Sequence, residues 1–115
     1  MRRDMDLVRS ILLNLEGEEK VDLTAFTQEQ VGYHSYLVMS SGLAYGADVT
    51  GLGDEHPSAI LTGLTWEGHD FLDAARSETI WKKVMNKVKD STGTVAFEVL
   101  KALLIAASKE KFGLT

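Results

Sequence analysis

TQEQVGYHSYLVMSSGL, Thr27 to Leu43, marks both ends of one helix, and that helix sets the order of elements that decides the fold. Thr27 followed three residues later by Gln30 is a capping box, in which each side chain answers a backbone N–H left over at the helix start. Phe26 before the cap and Val31 after it are placed to form a hydrophobic staple. At the far end Gly42 supplies a left-handed stop, and Leu43 can fold back on Val38 as in a Schellman ending. The spacing predicts a helix running to about Ser41.

Upstream, Val8, Ile11, Leu12 and Leu15 recur at i, i+3, i+4, i+7 and lie along one buried face of a helix from about Asp4 to Glu16. Asp4 caps its start and Gly17 its end. Downstream, Leu43 to Thr50 and Ala59 to Leu64 flank a loop rich in Gly, Asp and Pro, which predicts a β-hairpin. Thr65 then caps a helix from Trp66 to about Arg76, and Ser77 caps another whose apolar stripe is Trp81, Val84, Met85 and Val88. Asp90 to Gly93 reads as a turn, and a final helix runs from about Val95 to Lys111. Helix, connector, helix, Gly-Leu, hairpin, helix is the order of a winged helix, with Thr27 to Ser41 as its recognition helix and the hairpin as its wing. The expected fold is mainly α with a small β-hairpin. It is one domain over 1–115, with a winged-helix-like unit at 4–76 and a C-terminal helical extension at 77–115. One departure stands out: Val21 to Phe26 is too short and too β-like to supply the short helix that usually precedes the recognition helix.

Charge argues against the job this order suggests. From Val21 to Ala75 there is no lysine or arginine, while Asp22, Glu29, Asp48, Asp54, Glu55, Glu67, Asp70 and Asp73 are all acidic. The net charge of the 115 residues is −5, so the flanks are net positive, most densely at Lys82, Lys83, Lys87 and Lys89. A surface that grips DNA needs cations for the phosphates. The expected recognition surface has none, and DNA is not expected there. A hydrophobic content of 44% and a charged content of 25% are ordinary for a globular domain. Zero cysteines exclude disulfides and thiolate metal sites. Arg2 and Arg3 lead into Asp4 and Asp6, not into an apolar run, so no signal peptide or membrane span is expected and the reading is cytoplasmic.

The strings RDMDLVRSILL, VGYHSYLVMSSGLA and GLTWEGHDFLDAARSETIWKKV together resemble a bacterial domain family of unknown function, common in prophages and phages, with a winged-helix-like body. The likeness spans nearly the whole chain, and LTWEGHDFLD is its most specific segment. It implies a phage-associated bacterial protein without an established activity, and it brings no catalytic residues. The glycine-rich, acidic loop over Gly46 to His56 departs from the family's usual pattern.

No constellation of side chains points to catalysis. His34, His56 and His69, with Glu67, Asp70 or Asp54, lack metal-ligand spacing, and no HExxH occurs. His34, near Val31 and Val38, reads as a satisfied, partly buried histidine, and His69 as packed against the wing. Asp70 and Asp73 share a helix face but read as solvated, and Gly51 to Gly53 precedes no helix, which excludes a dinucleotide loop. No metal, cofactor or catalytic residue is expected.

Along the recognition helix, Gln28, Glu29, Gly32, Ser35, Tyr36, Met39 and Ser40 are expected to face outward. Gln28, Glu29, Tyr36 and Met39, with the acidic wing, form the expected surface for a protein partner, while Tyr33 reads as closing the core. The last helix has only Lys101 charged between Val99 and Ala107. A helix apolar over more than one face is buried or shared with another chain, so Val99, Leu100, Leu103 and Leu104 are expected at a homo-oligomer contact. The alternative is that Trp66, Trp81 and Met85 cover that second face. The function expected is a non-enzymatic protein-interaction or regulatory module. The runner-up is a DNA-binding regulator using the lysine-bearing helix or Arg2, Arg3 and Arg9.

Overall fold

The computed structural model describes residues 1–91 and 97–111. The elements run α1 (Met5–Glu16), α2 (Gln28–Ser40), β1 (Ala44–Asp48), β2 (Ala59–Leu64), α3 (Trp66–Ala75), α4 (Glu78–Ser91) and α5 (Phe97–Lys111). The fold is mainly α with a small hairpin, in the order of a winged-helix-like unit followed by extra helices. Residues 1–72 and 73–115 form two compact units. The division passes through α3, a few residues before the expected boundary at 76.

In the first unit the local signals act as chemistry requires. Asp4 accepts the Leu7 N–H at the start of α1, and Gly17 ends it at φ +81°. Thr27 and Gln30 bond each other's backbone N–H groups, completing the capping box. After α2 the Gly42 N–H donates to Met39 and the Leu43 N–H to Val38, the paired bonds of a Schellman ending, with Gly42 at φ +86°. Between Glu16 and Gln28 no helix forms among the described residues, so the element expected to be missing is missing.

β1 and β2 pair antiparallel with an irregularity at Tyr45/Gly46, and α2 packs against both strands while α1 packs against α2 and β2. The core holds Met5, Leu7, Val8, Ile11, Leu12, Leu13, Val38, Leu43, Ala44, Ala59, Phe71 and Leu72. Burial of α1 is therefore wider than the single expected stripe, and Leu15 at its edge is only half-buried.

In the second unit α4 and α5 pack together. Trp81, Val84 and Val88 are buried from α4, and Leu100 and Leu104 from α5. The Ser77 hydroxyl accepts the Ile80 N–H at the start of α4. The turn expected over Asp90 to Gly93 is corrected at its start, because α4 stays helical through Ser91. Its remainder, and the expected helix start at Val95, lie outside the described residues. No described helix is long and apolar enough to cross a membrane.

Candidate functional site

The expected recognition helix does not stand free. Its buried stripe is His34, Ser35 and Val38 with Val31 half-buried, the i, i+3, i+4, i+7 set of one helix face. Ser35, expected to face outward, is only 7% exposed. Gly32 is also partly covered, since a Cβ there would lie 2.5 Å from the Ser58 hydroxyl. The segment after the hairpin loop thus closes over the first half of α2. Glu29 lies 3.4 Å from His56 Nε2, and the His56 ring rests against Tyr33 at 5.5 Å between centroids. A helix whose first turns are covered by its own wing cannot lie in a major groove without that segment moving away.

The four expected partner residues fall on two neighbouring stripes. Gln28 and Glu29 are exposed, and Tyr36 and Met39 are half-buried. The acidic wing is tied up internally. Asp48 accepts the Thr50 hydroxyl at 2.6 Å and the Thr50 N–H at 2.9 Å, while Asp54 accepts the Gly51 N–H at 2.7 Å. Asp22 binds Thr24 in the same way, at 2.6 Å from the hydroxyl and 2.9 Å from the N–H. In both Asp-x-Thr turns the hydroxyl bond first, and the N–H bond second, holds the carboxyl below its ordinary value.

The sign of the pH effect follows from that lowering. The stabilisation is complete above the ordinary Asp range and is lost as pH falls through the lowered folded value. Carboxyl-detected NMR titration should place the Asp22 and Asp48 midpoints below that range. Thr24→Val and Thr50→Val should each return only their own aspartate toward it. Unchanged midpoints in both variants would remove the turns as the cause.

His34 is wholly buried, as expected of a satisfied core histidine. The Asp4 N–H donates to its Nε2 at 2.8 Å, and its Nδ1 lies 2.8 Å from the Gln30 carbonyl. The donor at Nε2 makes that nitrogen the acceptor, so the proton sits on Nδ1 and both nitrogens are engaged. His34 is therefore unavailable to a metal. His69 is exposed, which corrects the expectation that it packs on the wing.

The structure groups one of the named histidines with two other carboxylates: one ligand atom each from Glu29, Glu55 and His56 lie within 4.8 Å of one another. An imidazole and two carboxylates are suitable ligands for a divalent transition metal, with water completing the shell. The same residues also clip the post-loop segment to α2. Glu29 and Glu55 carry no spacing signal as co-ligands of His56, because Glu55 is adjacent to it and Glu29 belongs to another element.

α3 separates framework from surface. The Thr65 hydroxyl donates to the Gly42 carbonyl at 2.6 Å and accepts the Gly68 N–H at 3.0 Å, while the Thr65 N–H donates to the Leu43 carbonyl at 3.1 Å. One threonine thereby joins the end of α2 to the start of α3. Gly68, Phe71, Leu72 and Ala75 are buried on one face. Trp66 lies two positions before Gly68, about 200° round the helix, and is 79% exposed. Tyr45 and Ile60 are exposed on the hairpin at 63% and 62%. None of these three was expected as a surface anchor, although the phase of α3 already turns Trp66 away from the buried face.

Beside the first half of α2 is an open cleft of about 450 Å³. Leu23, Phe26, Val31 and Ala59 form its apolar walls, Gln28 stands at its edge, and Ser35 and Gly32 lie on its α2 side.

For the last helix the expected contact set divides. Leu100 and Leu104 are wholly buried within the chain, a correction to their expected place at an interface between chains. Val99 and Leu103 are exposed, at 52% and 38%. Consecutive helix residues diverge by about 100°, so burying the 100/104 stripe turns the 99/103 stripe outward. Trp66 is 79% exposed, whereas Trp81 is buried and Met85 half-buried.

Comparison with known proteins supports a family of unknown function. The chain is 34% identical over 108 residues to an uncharacterized protein of Haemophilus influenzae (strain ATCC 51907 / DSM 11121 / KW20 / Rd), covering 88% of this chain and 90% of that one. No solved structure matches. The chain belongs to the family described as Hypothetical protein (DUF2513), which it matches over residues 2–94.

Proposed function

We propose that this protein is a non-enzymatic interaction module that acts by binding another protein in the cytoplasm of a bacterium, in a prophage or phage-derived setting. The observation that carries this reading is Trp66, 79% exposed within a segment whose neighbours Thr65 and Gly68 have structural duties. Exposed tryptophan and tyrosine are the side chains that most often anchor protein interfaces. Tyr45 and Ile60 add apolar surface on the same unit. The cation-free stretch from Val21 to Ala75 and the loop packed on the first half of α2 speak against DNA binding through the usual recognition helix.

The test is capture of partners from source-cell lysate on the wild-type chain and on Trp66→Ser, followed by reciprocal capture on each purified partner. One partner retained by the wild type and lost by at least tenfold in Trp66→Ser supports the reading. In parallel, anisotropy titration with duplex DNA at physiological salt should show no binding below about 10 μM, in the range of weak non-specific contact. Submicromolar, sequence-selective DNA binding lost on changing Gln28 would overturn the proposal and install the regulator.

The same reading includes self-association through α5. Val99, Ala102, Leu103 and Ala106 follow i, i+3, i+4, i+7 on its outward side, and leaving Val99 and Leu103 in water forgoes up to about 1.5–3 kcal/mol for each. Two-fold pairing is the commonest way to cover such a stripe. Sedimentation velocity at tens of micromolar should show a dimer, and Leu103→Lys a monomer. A monomeric wild type would remove the interface.

A further inference from the structure

The cleft beside α2 has chemistry that the exposed anchors do not account for. Three polar side chains are buried among the described residues: His34, Ser35 and Thr65. His34 and Thr65 are bonded on every side. Among the described residues the Ser35 hydroxyl has no hydrogen-bond partner, yet none of their fully enclosed side-chain oxygens or nitrogens is left unsatisfied. Its hydroxyl therefore opens on the cleft that it lines. Water can bond the hydroxyl while the cleft is open, and an occupant that displaces this water must bond it in turn. Gly32 keeps the neighbouring wall bare, because a side chain there would run into Ser58.

The rest of the lining decides what would fit. Leu23, Phe26, Val31 and Ala59 supply apolar surface, and no lining residue is ionisable. A volume of about 450 Å³ is within the roughly 300–1,000 Å³ of pockets that accept ligand-sized groups. Acids flank the lining along the chain: Asp22, whose carboxylate is bonded to Thr24 of the lining, precedes Leu23, and Glu29 follows Gln28, while no lysine or arginine occurs from Val21 to Ala75. Such a field repels anionic head groups and draws cations to the rim. An apolar body, a neutral hydrogen-bonding group for Ser35 and positive charge outside the cleft describe a side chain on a basic peptide.

We infer that the cleft between α2 and the 23–26 turn is a docking pocket for an apolar side chain carried on a lysine- or arginine-bearing segment of a partner protein. The apolar side chain fills the space against Phe26 and Val31, a peptide amide bonds the Ser35 hydroxyl, and the flanking cations lie near Asp22 and Glu29. The inference rests on the interaction-module reading, but it uses a different surface from Trp66.

The test uses the full chain and three fluorescein-labelled nonapeptides: a central Phe flanked by lysines, a central Phe flanked by glutamates, and a central Ala flanked by lysines. Anisotropy at physiological salt should show binding of the lysine–Phe peptide, with both others at least tenfold weaker. Amide shifts in NMR should centre on Gly32, Ser35 and Ala59. Ser35→Met, which fills the cleft, should abolish binding. Thr24→Trp, placed at the exposed mouth, serves the same purpose should the first variant fail to fold.

Equal affinity for the Phe- and Ala-centred lysine peptides would reduce the effect to bulk charge and overturn the pocket. Absence of any binding, or shifts confined elsewhere, would do the same. Binding of 4-ethylphenol at the same amides with no peptide binding would assign the cleft to a small molecule instead. If the peptides fail while Trp66→Ser still loses its partner, only the pocket falls. If capture shows no Trp66-dependent partner while the peptides bind, the Trp66 surface falls and the pocket stands.

Discussion

Gly68→Ala is expected to destabilise the first unit by about 3 kcal/mol, at the upper end for an added methylene in a packed site. A Cβ at this position would press into the Leu43 carbonyl, which is backbone and cannot swing aside as a side-chain tip could. The close approach is imposed from both sides. Leu43 is held by the Schellman bond to Val38, and Thr65 ties its own N–H to the same Leu43 carbonyl at 3.1 Å. Relief therefore requires either loosening the end of α2 or tilting the start of α3, and each breaks hydrogen bonds of Thr65. Gly63→Ala is the control, since nothing lies within 4 Å of its Cβ position and its φ is not positive. Urea unfolding should show Gly68→Ala far below wild type, with Gly63→Ala within about 0.5 kcal/mol of it. A Gly68→Ala midpoint equal to wild type would mean that α3 can move freely away from Leu43.

The second large effect is expected at His34. Its ring fills the space between the start of α1 and α2, and its two nitrogens bridge the Asp4 N–H and the Gln30 carbonyl. Replacement by alanine removes the packing and leaves the Asp4 N–H without its partner. Together these should cost about 3–4 kcal/mol, or a fall of about 10–20 °C in Tm. His34→Phe restores most of the volume but neither bond, and should recover roughly half of the loss. Calorimetry on the two variants thus separates packing from hydrogen bonding. If alanine and phenylalanine were both within about 1 kcal/mol of wild type, the imidazole bridge would contribute nothing measurable.

These two positions also mark where a linear reading succeeds and stops. The capping box of Thr27 and Gln30, the stops at Gly17 and Gly42, and the Thr65 and Ser77 caps are contacts within a few residues of chain. Local chemistry decides them, so they are legible from residue type and spacing, and with them the order of elements. The cation-free stretch is equally a property of composition, and folding cannot alter it. The helical period was also there to be read: the 31/34/35/38 stripe of α2 already places Ser35 inward. The outward position that a recognition helix would give Ser35 conflicts with that period, and the period prevails.

Contacts between distant segments had no such signal. The need for glycine at 68 depends on where Leu43, 25 residues earlier, holds its carbonyl. The bond from Asp4 to His34 spans 30 positions. Glu29 meets Glu55 and His56 only because the end of the hairpin loop folds back over α2, and the cleft beside Ser35 is lined by the 23–26 turn and by Ala59, which other parts of the chain supply. In α5, four apolar residues were equivalent by composition. Packing within the second unit enclosed Leu100 and Leu104 and left Val99 and Leu103 outside. Sequence by itself determined the ends of the helices and the sign of the surface, because caps and charges act over one turn or none. Which of the chemically equal side chains became core, cleft or exposed anchor was decided by tertiary packing, where the neighbours that matter are remote along the chain.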